Sequence, residues 1–120
     1  QTHINISYPP IATFQNCLNL LLEKDVLIHF SEIDMTINRG GDITELTYER
    51  ALSQENRYKE IAELYSNIPA EKRFGITFWG MRDNESWLLN FWDNQNEYPL
   101  LYDSNYNFKI AHRGVVEGLH

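Results

Sequence analysis

The sequence predicts an α/β fold with parallel strands, and three observations carry the prediction. Strand-like and helix-like segments alternate three times along the 120 residues. The second strand segment, Val26–Met35, is apolar through its first half and reads as buried. No linker or low-complexity stretch breaks the order, so residues 1–120 are read as a single structural unit. Alternation of this kind implies parallel strands joined by right-handed crossovers.

Each element has its own signal. Gln1 to Ile6 alternates polar and apolar, with Gln1, His3 and Asn5 on one face and Thr2, Ile4 and Ile6 on the other, as a short strand does. Tyr8-Pro9-Pro10 breaks it. Thr13 then opens a helix to about Lys24, with Phe14, Cys17, Leu18, Leu21 and Leu22 at helical spacing. Cys17, the only cysteine, reads as an ordinary buried helix residue, and no internal disulfide is possible.

The Val26–Met35 strand is followed by a polar loop in which Arg39-Gly40-Gly41-Asp42 reads as a turn. A second helix is expected from about Tyr48 to Asn67, burying Leu52, Ile61, Leu64, Tyr65 and Ile68, with Pro69 past its end. Phe74–Trp79 reads as a third strand. The segment from Gly80 to Asn107 is aromatic and irregular, and a last helix runs from about Ile110 to Glu117.

Composition narrows the partners. Ten Lys and Arg against 17 Asp and Glu give a formal net charge of −7, which argues against a phosphate backbone and fits a neutral ligand such as a sugar. No apolar run reaches membrane-span length, and no signal peptide is visible. No His/Cys/Asp spacing suggests a metal, and no cofactor is expected. The chain begins without Met on an alternating stretch and reads as a piece of something that began earlier.

Glu32 is the most informative residue. A carboxylate near the end of an apolar strand is costly to bury unless it is paired or used. Asp34, two residues on, projects from the same face. In parallel α/β folds reactive groups gather at the carboxyl ends of strands. Read by parity, the first strand offers Gln1, His3 and Asn5 there. The second offers Glu32 and Asp34, beyond Val26, Ile28 and Phe30, and the third offers Thr77 and Trp79. A carboxylate, an imidazole, an amide and an indole would then meet at one rim.

Blander readings exist for most of these. His3 alone fits a structural histidine, Asp34 a strand-end cap or half of a salt bridge, and Trp79 and Trp87 core. Trp92 is read as packing or a loop anchor. Arg82 and Asp83 stand beside the expected sugar face, where they could instead pair with each other. His29 has helix-facing parity and reads as buried, whereas His112 and His120 look peripheral.

The run His29-Phe30-Ser31-Glu32-Ile33-Asp34-Met35-Thr36, preceded by Gln1-Thr2-His3-Ile4 and followed by Phe74–Leu88 and Pro99–Lys109, resembles the C-terminal part of a glycoside hydrolase family 10 xylanase. The resemblance covers essentially the whole chain, in order and with family-like spacing. It implies the sixth strand through the eighth helix of a (β/α)₈ barrel that cleaves internal β-1,4 bonds of xylan with retention. By this resemblance Glu32 is the nucleophile, His3 the histidine that hydrogen-bonds it, and Asp34 the acid that holds that histidine. Gln1 would contact the sugar at the cleavage subsite, Trp79 would line it, and Trp87 would cover the glycone sugars. Arg82, beside the same face, is added as a substrate contact. The resemblance also implies an exported protein, secreted, periplasmic or on the cell surface.

Two departures shape the expectation. A retaining glycosidase needs a second carboxyl about 5–5.5 Å from the nucleophile. The family's acid/base glutamate lies on the fourth strand, and nothing after Glu32 replaces it, Glu85 included. A full barrel also takes about 250 residues. The chain is therefore expected to be inactive alone and to fold beside a complementary N-terminal barrel fragment, or to self-associate through its open edges. Ile110 stands where the family usually has Pro. Two other functions fit the residues: a non-catalytic carbohydrate-binding fragment, and a related barrel glycosidase acting on another β-glycan.

Overall fold

A computed structural model describes residues 1–120. Its order is β1 (His3–Asn5), α1 (Ile11–Leu22), β2 (Ile28–Thr36), α2 (Tyr48–Ser66), β3 (Arg73–Phe78), a short α3 (Leu88–Phe91) and α4 (Ile110–Leu119). The three strands form one parallel sheet in the order β1-β2-β3, as alternation predicts. His3, Ile4 and Asn5 stand opposite Asp34, Met35 and Thr36.

Local chemistry sets the element ends. Pro10, with φ −53°, leads directly into α1, so the helix starts two residues before Thr13. Lys72 reaches back to the far end of α1 and donates to the Leu22 and Lys24 carbonyls at 2.7 and 2.8 Å. Thr47 caps α2, its hydroxyl accepting from the Arg50 N–H at 3.2 Å. Gly41 takes φ 66° in the turn after β2.

The hydrophobic core lies between the sheet and the helices. Ile28, Phe30, Ile33, Met35 and Ile37 of the β2 segment pack with Leu18, Tyr58, Ile61, Leu64, Ala111 and Val115. Some expected core positions are open instead. Cys17 and Leu21 are exposed, because α1 turns only a narrow stripe, centred on Leu18, towards the sheet. Val26 and Leu27 precede β2 and are also exposed. Leu52 and Tyr65 are half-buried.

One irregularity reorganises β2. Between the paired residues Phe30–Ile76 and Ile33–Phe78, β2 holds one residue more than β3, which is a β-bulge. Glu32 takes a left-handed backbone there, φ 55°. The extra residue switches the alternation. Ile28 and Phe30 therefore face the helices and the core, opposite Glu32 and Asp34, instead of sharing their face as unbroken parity requires. By the same switch His29 is exposed on the inner face, 2.9 Å from the Thr77 hydroxyl, and not buried against the helices.

The segment between β3 and α4 is tied down by buried charge. Asp83 meets Lys109 at 3.0 Å, both nearly closed off from water, and also accepts from the Leu100 N–H at 2.8 Å. Lys109 donates further to the Tyr98 and Leu100 carbonyls. Burial pushes the Asp83 carboxyl up and the Lys109 ammonium down, while each partner opposes that shift in the other. The alternative Arg82–Asp83 pair does not form; Arg82 pairs with Glu85 and stacks over Tyr106. Glu97, also buried, accepts from the Ile37 and Asn38 N–H groups that follow β2.

Helix α4 rests on α2 through its glycines. A Cβ on Gly114 would sit 2.2 Å from the Glu55 carbonyl oxygen, and one on Gly118 2.5 Å from that of Lys59. Both neighbours are helix backbone and cannot step aside. Gly114→Ala should therefore destabilise the fold by about 1–3 kcal/mol or more, read by urea unfolding. Gly75→Ala is the control, because nothing lies within 4 Å of that position.

Candidate active site

His3, the first residue of β1, meets Glu32 and Asp34 of the neighbouring β2 in one hydrogen-bonded row, Glu32 standing mid-strand rather than at the strand exit that the sequence suggests. His3 Nδ1 lies 2.8 Å from Asp34 Oδ1 and its Nε2 lies 3.0 Å from Glu32 Oε2. Gln1 Nε2 donates to the other Glu32 oxygen at 3.3 Å. Both carboxylates therefore project from one face, and the histidine on the neighbouring strand bridges them. Glu32 remains partly open to solvent, whereas Asp34 is fully buried beneath it.

Trp87 closes the row from the side. Its indole Nε1–H donates to Asp34 Oδ2 at 2.7 Å, and its ring meets the His3 imidazole edge-on, centroids 5.3 Å apart. Asp34 thus has one oxygen on His3 and the other on Trp87. Burial pushes its carboxyl up from the ordinary value, and the hydrogen bonds from His3 and Trp87 pull the other way. A carboxylate only accepts. Glu32 and Asp34, when both ionised, therefore require His3 to donate from both ring nitrogens.

Trp79 follows β3 directly, held by its N–H to the Ile33 carbonyl at 2.9 Å, beside Glu32. Gly80, at φ 131°, then turns the chain away. Trp79 and Trp87 are 48% and 37% exposed, so their faces are available to a ligand and neither is core. Arg82 does not join the row. Its side chain pairs with Glu85, donates to the Ser104 carbonyl and lies over Tyr106.

A groove of about 270 Å³ opens beside the row, bounded by His3, Asp34 and Trp87 and reaching Tyr8, Arg39 and Trp92. The last three went unmarked as site residues because they sit on loops, where no periodicity reports direction. Trp92 carries the Arg39 guanidinium 3.4 Å from its ring centroid, so the loop anchor has a cationic partner. Asn5 and Thr36, hydrogen-bonded at 3.1 Å, line the same groove and were detectable from strand parity. His112, in the first turn of α4, stacks on Phe108, and His120 is exposed past the end of that helix. No group of three or more His, Cys, Asp or Glu residues is arranged to hold a metal.

Two acids of β2 are thus bridged by a histidine of β1 and flanked by an indole, on the face of the parallel sheet opposite the helices. The chain belongs to glycosyl hydrolase family 10, whose sequence profile matches residues 1–118. Endo-1,4-beta-xylanase A of Cellvibrio japonicus (strain Ueda107) is 34% identical over 99% of this chain, and endo-1,4-beta-xylanase B of Paenibacillus barcinonensis 33% over 87%. A mutant of xylanase 10C from Cellvibrio japonicus, solved with xylopentaose, superposes with a TM-score of 0.93 at 30% identity over 99% of this chain. The chain spans only 22% and 32% of those two relatives and 26% of that structure. It thus corresponds to part of a (β/α)₈ barrel.

Trp87→Phe keeps the aromatic wall and removes the donor to Asp34. The Asp34 carboxyl should then titrate higher still, read by carbon-13 NMR of the side-chain carboxyl. A raised carboxyl favours the folded state at acid pH and loses that advantage as pH climbs through the folded-state value. The variant should accordingly lose more stability at neutral than at acid pH.

Proposed function

We propose that this chain supplies the nucleophile half of a retaining endo-1,4-β-xylanase. The observation that carries the reading is the Glu32 carboxylate at the β2 bulge, held by His3 on one oxygen and Gln1 on the other. Glu32 attacks the anomeric carbon, and the glycosidic C–O bond breaks as an acid group protonates the departing oxygen. Water then attacks the same carbon, gives its proton to that group, and releases Glu32. Asp34 and Trp87 fix the histidine, and the histidine fixes the nucleophile.

The acid group is proposed to come from the fourth strand of a complete barrel, outside this chain, so the chain alone is expected to be inactive. The units that carry that strand would also cover the exposed flank of α1 and the free edges of the sheet. Trp79 and Trp87 offer flat apolar faces to pyranose C–H groups, and Gln1 a hydrogen bond to a sugar hydroxyl. Arg82 reaches substrate only by leaving Glu85 and Tyr106. The preference for xylan rests on relatives that are named as xylanases, two of them solved with xylopentaose. An exported protein fits a polymeric substrate; no helix here is long and apolar enough to cross a membrane.

In the intact protein, Glu32→Ala should lower xylan hydrolysis by at least ~10³-fold while xylo-oligosaccharide binding persists. Reducing-sugar release and calorimetric titration measure the two. Undiminished turnover by the variant would remove Glu32 from the nucleophile role, and binding without turnover in the parent would favour a non-catalytic carbohydrate binder.

A further inference from the structure

Arg39 stands apart from the other arginines of this acidic chain. Arg50, Arg57, Arg82 and Arg113 each meet a carboxylate. Arg73 begins β3, at the opposite end of the sheet from the site. Arg39 has no ion pair, and among the residues lining the groove beside His3 and Asp34 it is the only Lys or Arg. Glu97, whose carboxyl feels the Arg39 charge, has its oxygens committed to the Ile37 and Asn38 N–H groups.

The guanidinium is braced as well as free. Its carbon sits 3.4 Å from the Trp92 ring centroid, so the indole supports one face. The N–H groups lie in the guanidinium plane and remain available as a fork, the geometry that takes a carboxylate through two parallel hydrogen bonds. A neutral sugar backbone offers such a group hydroxyl acceptors but no opposite charge. A glycan branch that carries a carboxylate does.

We propose that Arg39, supported by Trp92, forms a subsite for the carboxylate of a uronic acid branch on the glycan held in this cleft. The proposal rests on the glycan-cleaving reading of the same cleft and specifies its substrate class as acid-branched chains. Tyr8, exposed on the same groove, is available to the hydroxyls of the branch sugar.

The test uses the intact protein with Glu32→Ala, so that ligands persist, and two probes: an unbranched xylo-oligosaccharide and the same oligosaccharide carrying one glucuronosyl branch. Calorimetric titration should give tighter binding of the branched probe, an advantage that shrinks as salt is raised. Arg39→Gln should remove about ten- to hundredfold of affinity for the branched probe and leave that for the unbranched probe in place. Arg39→Lys keeps the charge without the fork and should recover only part of the loss. Equal affinity of both probes for the Arg39 protein, or a branched-probe advantage that survives Arg39→Gln, overturns the subsite. Hydrolysis by the Glu32 form is read separately. An Arg39-dependent advantage without hydrolysis of either probe sustains the subsite and refutes the xylanase reading.

Discussion

The left-handed backbone at Glu32 is the constraint on which the rest depends. A strand that alternates without interruption would place Glu32 and Phe30 on one face, and either the core would contain a carboxylate or the cleft a phenyl ring. The bulge resolves this conflict by one residue. Phe30 and Ile33 both enter the helix-side core, while Glu32 is aimed at the cleft. A non-glycine residue at positive φ costs of order 1–3 kcal/mol and persists where its surroundings over-determine it. Here the surroundings are visible: Ser31 accepts from the Thr2 N–H on one side, and Ile33 accepts from the Trp79 N–H on the other.

The electrostatic design follows from that placement. Asp34 is buried yet fully partnered, so its charge is spread over an imidazole and an indole and not left to solvent. Glu32 shares the same histidine but stays open on its outer side. The two carboxyls therefore have different duties enforced by burial alone: one anchors, the other is reachable. Beyond the His3–Asp34 row the groove is lined by aromatic, apolar and neutral polar side chains, with Arg39 its only Lys or Arg.

Much of this was legible in the sequence, and the failures share a cause. Element order and parallel topology follow from alternation, and parity puts His3, Glu32 and Asp34 on one face, but their pairing came from the family resemblance. The bulge was not legible, because nothing in Phe30-Ser31-Glu32-Ile33 announces an extra residue. His29 was therefore assigned to the wrong side and Ile28 and Phe30 to the wrong layer. Cys17 and Leu21 misled for a different reason: helical spacing reports which residues share a stripe, not how much of it meets a neighbour. The Arg39–Trp92 contact joins loops more than fifty positions apart, and no local pattern encodes it.

The buried Asp83–Lys109 contact makes the wall of the cleft and the last helix a single mechanical piece. Lys109 immediately precedes α4, and Asp83 opens the irregular segment that carries Trp87 and Trp92. An engineer who transplants that segment into another scaffold to change its sugar preference would have to move the lysine with it. A graft that omitted Lys109 would strand an acid in an apolar seam, and the imported tryptophans would lose their seat before meeting any sugar.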